Sequence, residues 1–246
     1  DARKKFENIL FRSINAKTLS QNLQNIVPEL DSFIKKIDHT EKRMYDYVVY
    51  HNIVRFLYNN NRFQINSLII ELIKRVIYED IPKITDKNPN PQNAEKLLRR
   101  LALSDEIHIQ TLSQALGISQ QEIIRNLDIL AKAELLNVLY SFGGIDSKIN
   151  KSQKYYFMSP SIRKSILTPL MQSDIDKNLY AKMLEDTVVM YLKRIFRQDS
   201  IISFSSTKGQ KKPDFIIETI DDPILLEVGM NKKATDQITK SRIKYK

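Results

Sequence analysis

Two acidic residues near the carboxyl end of the chain have a spacing that could support metal-dependent chemistry. Asp214 follows Pro213 at the start of one predicted strand, and Glu227 ends the next predicted strand. Acidic side chains on neighbouring strands can converge on one Mg²⁺, a hard cation that prefers oxygen ligands. Such a metal polarises a phosphate and lowers the pKa of bound water, which is the chemistry of a nuclease. Glu185, on a preceding predicted helix, is a candidate third ligand.

The pair resembles the PD-(D/E)xK nuclease pattern, whose third element reads Glu-x-Lys and whose lysine assists the attacking water and stabilises developing charge. The expected position, two residues after Glu227, holds Gly229, and Lys232 is a candidate replacement further along the chain. Two interpretations therefore remain open: a catalytic Mg²⁺ site at Asp214 and Glu227, or an inactive fold in which both are ordinary strand-end acids. The missing lysine favours the inactive fold.

A second group of polar residues is typical of nucleic-acid recognition. Apolar spacing between Ile109 and Leu130 predicts two helices joined by a sharp turn, and the first residues of the second helix could reach base edges in a major groove. Glutamine pairs well with adenine, and arginine pairs well with guanine. The predicted base contacts are Gln120, Gln121 and Arg125, and the predicted phosphate contacts are Lys148, Lys151, Lys211 and Lys212.

Local signals define the turn between these two helices. Gly117 suits a left-handed C-cap, and Ser119 with Glu122 three residues later forms a capping-box pattern. The second helix has a single arginine and also contains Asp128, which is little positive charge for a DNA-binding surface. Protein docking therefore stays open as an alternative to DNA binding, because a fold does not fix a function.

The elements that must position these residues fall into three predicted units. Residues 1–90 indicate a helical unit, whose strongest apolar face ends at Pro82. Residues 91–160 indicate three helices followed by a β-hairpin with a polar, basic tip, which is the pattern of a winged helix. Residues 161–246 indicate an amphipathic helix followed by three strands. The predicted fold class is α+β and mainly helical.

Composition narrows the range of functions. The 246-residue chain has a formal net charge of +10, which leaves two interpretations open: a polyanionic partner such as DNA, or a lysine-rich solvated surface. It has no cysteine, which excludes disulfides and cysteine-based zinc sites, and its three histidines are scattered. No apolar run approaches the ~20 residues of a membrane helix, so we expect a cytoplasmic protein without a membrane partner. The chain begins with Asp1 rather than Met, and we expect further sequence upstream.

The order of these segments resembles a widespread family of prokaryotic ATPases. In that family an AAA+ module precedes a C-terminal domain of unknown function, which joins a winged helix to a restriction-endonuclease-like PD-(D/E)xK fold. The resemblance covers residues 45–246. Its matching stretches are residues 78–81, 101–136, 154–158, 184–189, 212–215 and 226–228.

The resemblance implies that the parent protein binds ATP and Mg²⁺ through a Walker A loop. No Gly-x-x-x-x-Gly-Lys-Ser/Thr motif occurs in this chain, so the implied nucleotide site belongs to a missing N-terminal AAA+ module. Residues 1–90 would be the helical lid and connector of that module. The resulting hypothesis is an effector portion of an AAA+-type ATPase that binds DNA or a protein client. The alternatives are a Mg²⁺-dependent DNA nuclease and a winged-helix transcription regulator.

Overall fold

The computed structural model describes residues 4–5, 8–9, 16–84, 90–104, 108–151, 153–171, 175–195, 201–206, 212–218 and 222–229. The described residues form mainly helices and one small mixed β-sheet, which confirms the predicted α+β class. The α-helices are α1 (Ala16–Lys35), α2 (Thr40–Asp46), α3 (Arg62–Arg75), α4 (Ile81–Ile84), α5 (Pro91–Leu103), α6 (Ile109–Leu116), α7 (Gln120–Lys132), α8 (Ile145–Asn150), α9 (Pro160–Leu167) and α10 (Lys177–Ile195). The strands are β1 (Leu136–Ser141), β2 (Lys154–Phe157), β3 (Ile201–Phe204), β4 (Phe215–Glu218) and β5 (Ile224–Leu226). None of the described helices is long and apolar enough to cross a membrane.

Helix α3 does not end where the sequence predicts. A π-helical turn, Val76–Asp80, follows α3 and leads directly into α4, which contains Pro82. In this turn the Ile81 N–H donates to the carbonyl of Val76, five residues earlier. The predicted stop at Pro82 is therefore wrong, because the wider turn changes the hydrogen-bond register just before the proline.

The chain divides into two compact units. The first comprises residues 1–45, 140–151 and 191–246, and the second comprises residues 46–139 and 152–190. In the first unit, Phe204 of β3 and Phe215 of β4 are buried. In the second unit, α5, α7 and α10 supply the most buried apolar side chains. The three-part division expected from the sequence stays a prediction.

The sheet has the strand order β2-β1-β3-β4-β5. Strand β1 runs antiparallel to β2 and parallel to β3, while β3–β4 and β4–β5 are antiparallel. The predicted pairing of residues 135–142 with residues 155–157 is confirmed, with Leu136 opposite Phe157. Between these two strands the sequence predicts a polar tip, and the structure places the short helix α8 there.

Candidate functional site

The turn between α6 and α7 follows from its residue types. Gly117 closes α6 with φ 66° and ψ 30°, a left-handed conformation that glycine adopts without a Cβ penalty. Ile118 is buried, and the Ser119 hydroxyl accepts the Glu122 N–H at 3.2 Å. The Glu122 carboxylate instead accepts a hydrogen bond of 2.7 Å from the Asn93 amide on α5. The glycine C-cap and the serine N-cap are therefore confirmed, whereas Glu122 links α7 to α5 in place of completing the predicted capping box.

The exposed face of α7 contains the three predicted base-reading residues. Gln120, Gln121 and Arg125 are all exposed, as contact with a nucleic acid requires. Ile124 is also exposed, at 56% of its surface, whereas Asn126 is buried. The first two turns of α7 thus combine two amides, a guanidinium and one apolar side chain on the surface.

The basic residues predicted to contact phosphates differ in their surroundings. The Lys148 ammonium on α8 lies 2.7 Å from the Glu218 carboxylate at the end of β4, and each side chain is 20% exposed. Lys148 is therefore neutralised locally and offers less to a phosphate than the sequence suggests. Lys151 is exposed and Lys212 is partly buried. Lys211 lies outside the described residues.

The structure brings Asp214 and Glu227 together at adjacent strand ends. Phe215 of β4 lies opposite Leu226 of β5, so the two acids occupy the next facing positions of the antiparallel pair. The Asp214 carboxylate accepts the Val228 N–H at 2.7 Å, which closes this end of the pair. Both acids are partly buried.

Glu185, the third predicted Mg²⁺ ligand, does not join Asp214 and Glu227 in a metal-binding group among the described residues. Glu185 lies on α10, in the portion of that helix assigned to the second unit, whereas Asp214 and Glu227 belong to the first. Within the described ranges, no three histidine or acidic side chains form a group that could hold a metal ion. Lys232 lies outside those ranges. A Mg²⁺ at this position would have two protein carboxylates, a number that Mg²⁺ accepts when water and substrate phosphates complete its shell.

Comparison with known proteins identifies the region that contains α7. A family model described as a domain of unknown function (DUF8612) matches residues 52–174, half of the chain. The chain belongs to the DUF8612 family. The matched region includes the exposed face of α7 but ends before Asp214 and Glu227.

A longer archaeal protein also matches. "Uncharacterized protein MJ1637" of Methanocaldococcus jannaschii is 31% identical over 196 residues, which is 78% of this chain. The chain spans 41% of the length of that relative. No solved structure matches the chain.

A buried ion pair anchors the DUF8612 region to α10, and sequence reasoning missed it. Arg163 on α9 and Asp186 on α10 are both fully buried. The Arg163 Nε and Nη2 atoms donate to the two Asp186 oxygens at 2.6 and 3.0 Å, and Nη1 donates to the Ala102 carbonyl at 3.0 Å. Asp186 also accepts the Phe157 N–H at 2.8 Å. The available signal was an acid on the apolar face of α10, three residues after the buried Met183.

A second cationic group on α9 is formed by Lys164, the residue directly after Arg163. The Lys164 ammonium is 2.6 Å from the Asn66 Oδ1 atom and 4.4 Å from the centre of the Tyr50 ring. The Arg62 guanidinium lies over the same ring at 5.0 Å and pairs with Asp46 at 2.7 Å. Burial, and then the positive charge of Arg62, lower the pKa of Lys164 to about 8. These contacts fix α9 against α3 within the DUF8612 region.

Proposed function

We propose that this chain is the effector part of a longer AAA+-type ATPase and that it binds double-stranded DNA through α7. In this interpretation α5, α6, α7, β1 and β2 form a winged helix. The exposed Gln120, Gln121 and Arg125 at the start of α7 provide the main support. They lie on the part of a recognition helix that meets base edges in helix-turn-helix proteins.

The position of α7 in its unit also favours recognition over a purely structural role. Ile123 and Leu127 are buried on one face of the helix, and Ser119 caps its start. The polar face is therefore presented on a rigid element, which reduces the entropy lost on binding. The archaeal relative has more than half of its length outside the match, which leaves room for a separate ATPase module.

The matching experiment measures DNA affinity by fluorescence anisotropy with a labelled duplex across a salt series. Loss of one bidentate base contact in Arg125→Ala should weaken binding about tenfold on the most favourable sequence. Lys132→Ala is the matched control, because it removes one positive charge from the same helix while Lys132 already pairs with Asp128 at 2.8 Å. Equal affinities for parent and Arg125→Ala, or no binding at low salt, would remove the DNA-binding proposal.

The ATPase part of the proposal has its own test. The complete reading frame should contain a Walker A motif upstream of Asp1, since the phosphate cradle needs that glycine-rich loop. A start codon immediately before Asp1 would contradict the ATPase assignment and leave the DNA-binding proposal unaffected.

A metal-dependent nuclease is a second candidate, favoured by the facing positions of Asp214 and Glu227. Our primary proposal treats this part as an inactive nuclease-like fold, because Gly229 occupies the position of the assisting lysine. Plasmid DNA incubated with the protein and Mg²⁺ or Mn²⁺ should therefore stay intact. Cleavage that is lost in Asp214→Asn but retained in Asp128→Asn would support the nuclease instead.

A further inference from the structure

An apolar groove lies within the DUF8612 region, away from the exposed face of α7. Its cavity volume is about 350 Å³. Its walls come from α3 and the following π-helical turn, from α5, and from the end of α9 with the residues after it. The apolar lining residues are Ile70, Ile73, Ile77, Leu98, Ile166 and Pro169.

The mouth of the groove has a net positive charge. Lys74, Arg99 and Glu95 line it together. The Glu95 carboxylate receives hydrogen bonds from Arg99 at 2.6 Å and from the Tyr78 hydroxyl at 2.9 Å. Lys74 is exposed and forms no ion pair with any residue that the structure describes. The Glu95 charge is therefore committed to Arg99, and the ammonium of Lys74 remains available to an anion.

The one polar side chain among the described interior lining residues of this groove already has a hydrogen-bond partner. Ser165 is the polar lining residue inside, and it is fully buried. Its hydroxyl donates to the Asn66 Oδ1 atom at 3.2 Å, so its hydrogen atom is already used. An occupant would accordingly meet hydrocarbon inside and positive charge at the opening.

The π-helical turn Val76–Asp80 gives independent support for a site here. It contributes Ile77 to the wall, and its Tyr78 holds Glu95 at the mouth. A π-helical turn within a longer helix is rare and occurs frequently at functional sites. The turn therefore supplies part of the wall of this groove and a hydrogen bond to its acidic residue.

We propose that this groove binds a small amphiphilic anion, with an acidic head group at Lys74 and a short apolar tail among the isoleucines. Small-molecule sites have volumes of about 300–1,000 Å³ and mostly apolar walls, so the groove suits one compact ligand. A bound helix would spread its anchors over about 10 Å and needs a longer trough. The proposal goes beyond the proposed function and does not depend on α7.

The test follows isoleucine methyl signals by NMR while sodium octanoate is added to the full chain. The methyls of Ile70, Ile77 and Ile166 should shift, whereas the methyl of Ile202 in β3 should not. The neutral analogue 1-octanol should bind more weakly than octanoate, because it lacks the charge that Lys74 attracts. Octyl phosphate in place of octanoate then shows whether a carboxylate or a phosphate head is preferred, and binding of either supports the anion site.

Two variants separate the head group from the tail. Lys74→Glu should raise the Kd for octanoate about tenfold and leave that for 1-octanol nearly unchanged, since it reverses one charge-assisted contact. Lys177→Glu makes the same charge change on an exposed residue of α10 and should have no effect. Ile166→Phe should weaken both ligands, because a larger side chain fills the tail space.

Three results would overturn the proposal. The first is no methyl shift in the groove at millimolar octanoate or octyl phosphate, and the second is equal affinity for octanoate and 1-octanol in both parent and Lys74→Glu. The third is a concentration-dependent dimer that Ile166→Phe dissociates while octanoate does not bind, which would assign the groove to a second copy of the chain. Folding of each variant is checked by its circular dichroism spectrum.

Discussion

Removing the Asp186 carboxylate should strongly destabilise this protein. Asp186 accepts hydrogen bonds from Arg163 Nε at 2.6 Å, from Arg163 Nη2 at 3.0 Å and from the Phe157 N–H at 2.8 Å. In Asp186→Ala the guanidinium stays fully buried without a counter-charge. Loss of one partner of a buried ion pair costs about 3–5 kcal/mol. That is a large part of the roughly 5–15 kcal/mol that stabilises a typical folded domain.

The assay is urea and thermal unfolding followed by far-ultraviolet circular dichroism. For a chain of this size about 1 kcal/mol changes the Tm by about 2–4 °C, so Asp186→Ala should lower it by about 6–20 °C. The Tm of Asp186→Asn should lie between those of the parent and Asp186→Ala. The amide oxygen can still accept a hydrogen bond from the Phe157 N–H, but the amide carries no charge to balance Arg163. Both variants should show lower midpoints in urea.

Two further variants distinguish the ion pair from a general effect of substitution. Asp128→Ala removes an exposed acid paired with Lys132 on α7 and should cost at most about 0.5 kcal/mol. The double variant Arg163→Met with Asp186→Leu should regain much of the lost stability, since no buried charge remains unpaired. If the free energy of unfolding of Asp186→Ala lies within about 1 kcal/mol of that of the parent, the reasoning on burial is refuted.

Two other predictions concern backbone strain and a buried lysine. Gly117→Ala should destabilise the chain by about 1 kcal/mol through its positive φ alone, because a Cβ there would meet no other atom within 4 Å; an unchanged urea midpoint would contradict this. Lys164 has a pKa of about 8 when folded, below its ordinary 10.5, so the unfolded chain binds more protons between these values and stability should rise with pH across that window. The difference in Tm, parent minus Lys164→Met, should therefore increase between about pH 7 and about pH 9.5. A difference that stays constant over this range would be inconsistent with a lowered pKa.

The sequence predicts those elements that depend on residues close to one another along the chain. Gly117 and Ser119 set the turn before α7 through a left-handed conformation and a side-chain cap, and both depend only on residue type and spacing. Two apolar runs, residues 214–220 and 224–228, with the turn-forming sequence Asp221-Asp222-Pro223 between them, likewise predict the pairing of β4 with β5. Asp214 and Glu227 therefore come together as expected, because their positions follow from that pairing.

Other features depend on partners far away in sequence. Lys148 pairs with Glu218, 70 residues later, and nothing near Lys148 indicates that its charge is neutralised. Arg163 and Asp186 lie on different helices, and their pairing requires knowledge of how α9 packs on α10. The helix end expected at Pro82 was wrong, because a π-helical turn at Val76–Asp80 changes the hydrogen-bond register just before the proline, which lies in α4.

The reach of the Arg163 guanidinium also bears on where this chain can be shortened. The family match ends at residue 174, twelve positions before the aspartate that compensates the guanidinium. A fragment cut at that border would keep a cation in its interior and lose the helix that balances it. A fragment that continues through the first half of α10 would keep the guanidinium and its counter-charge together.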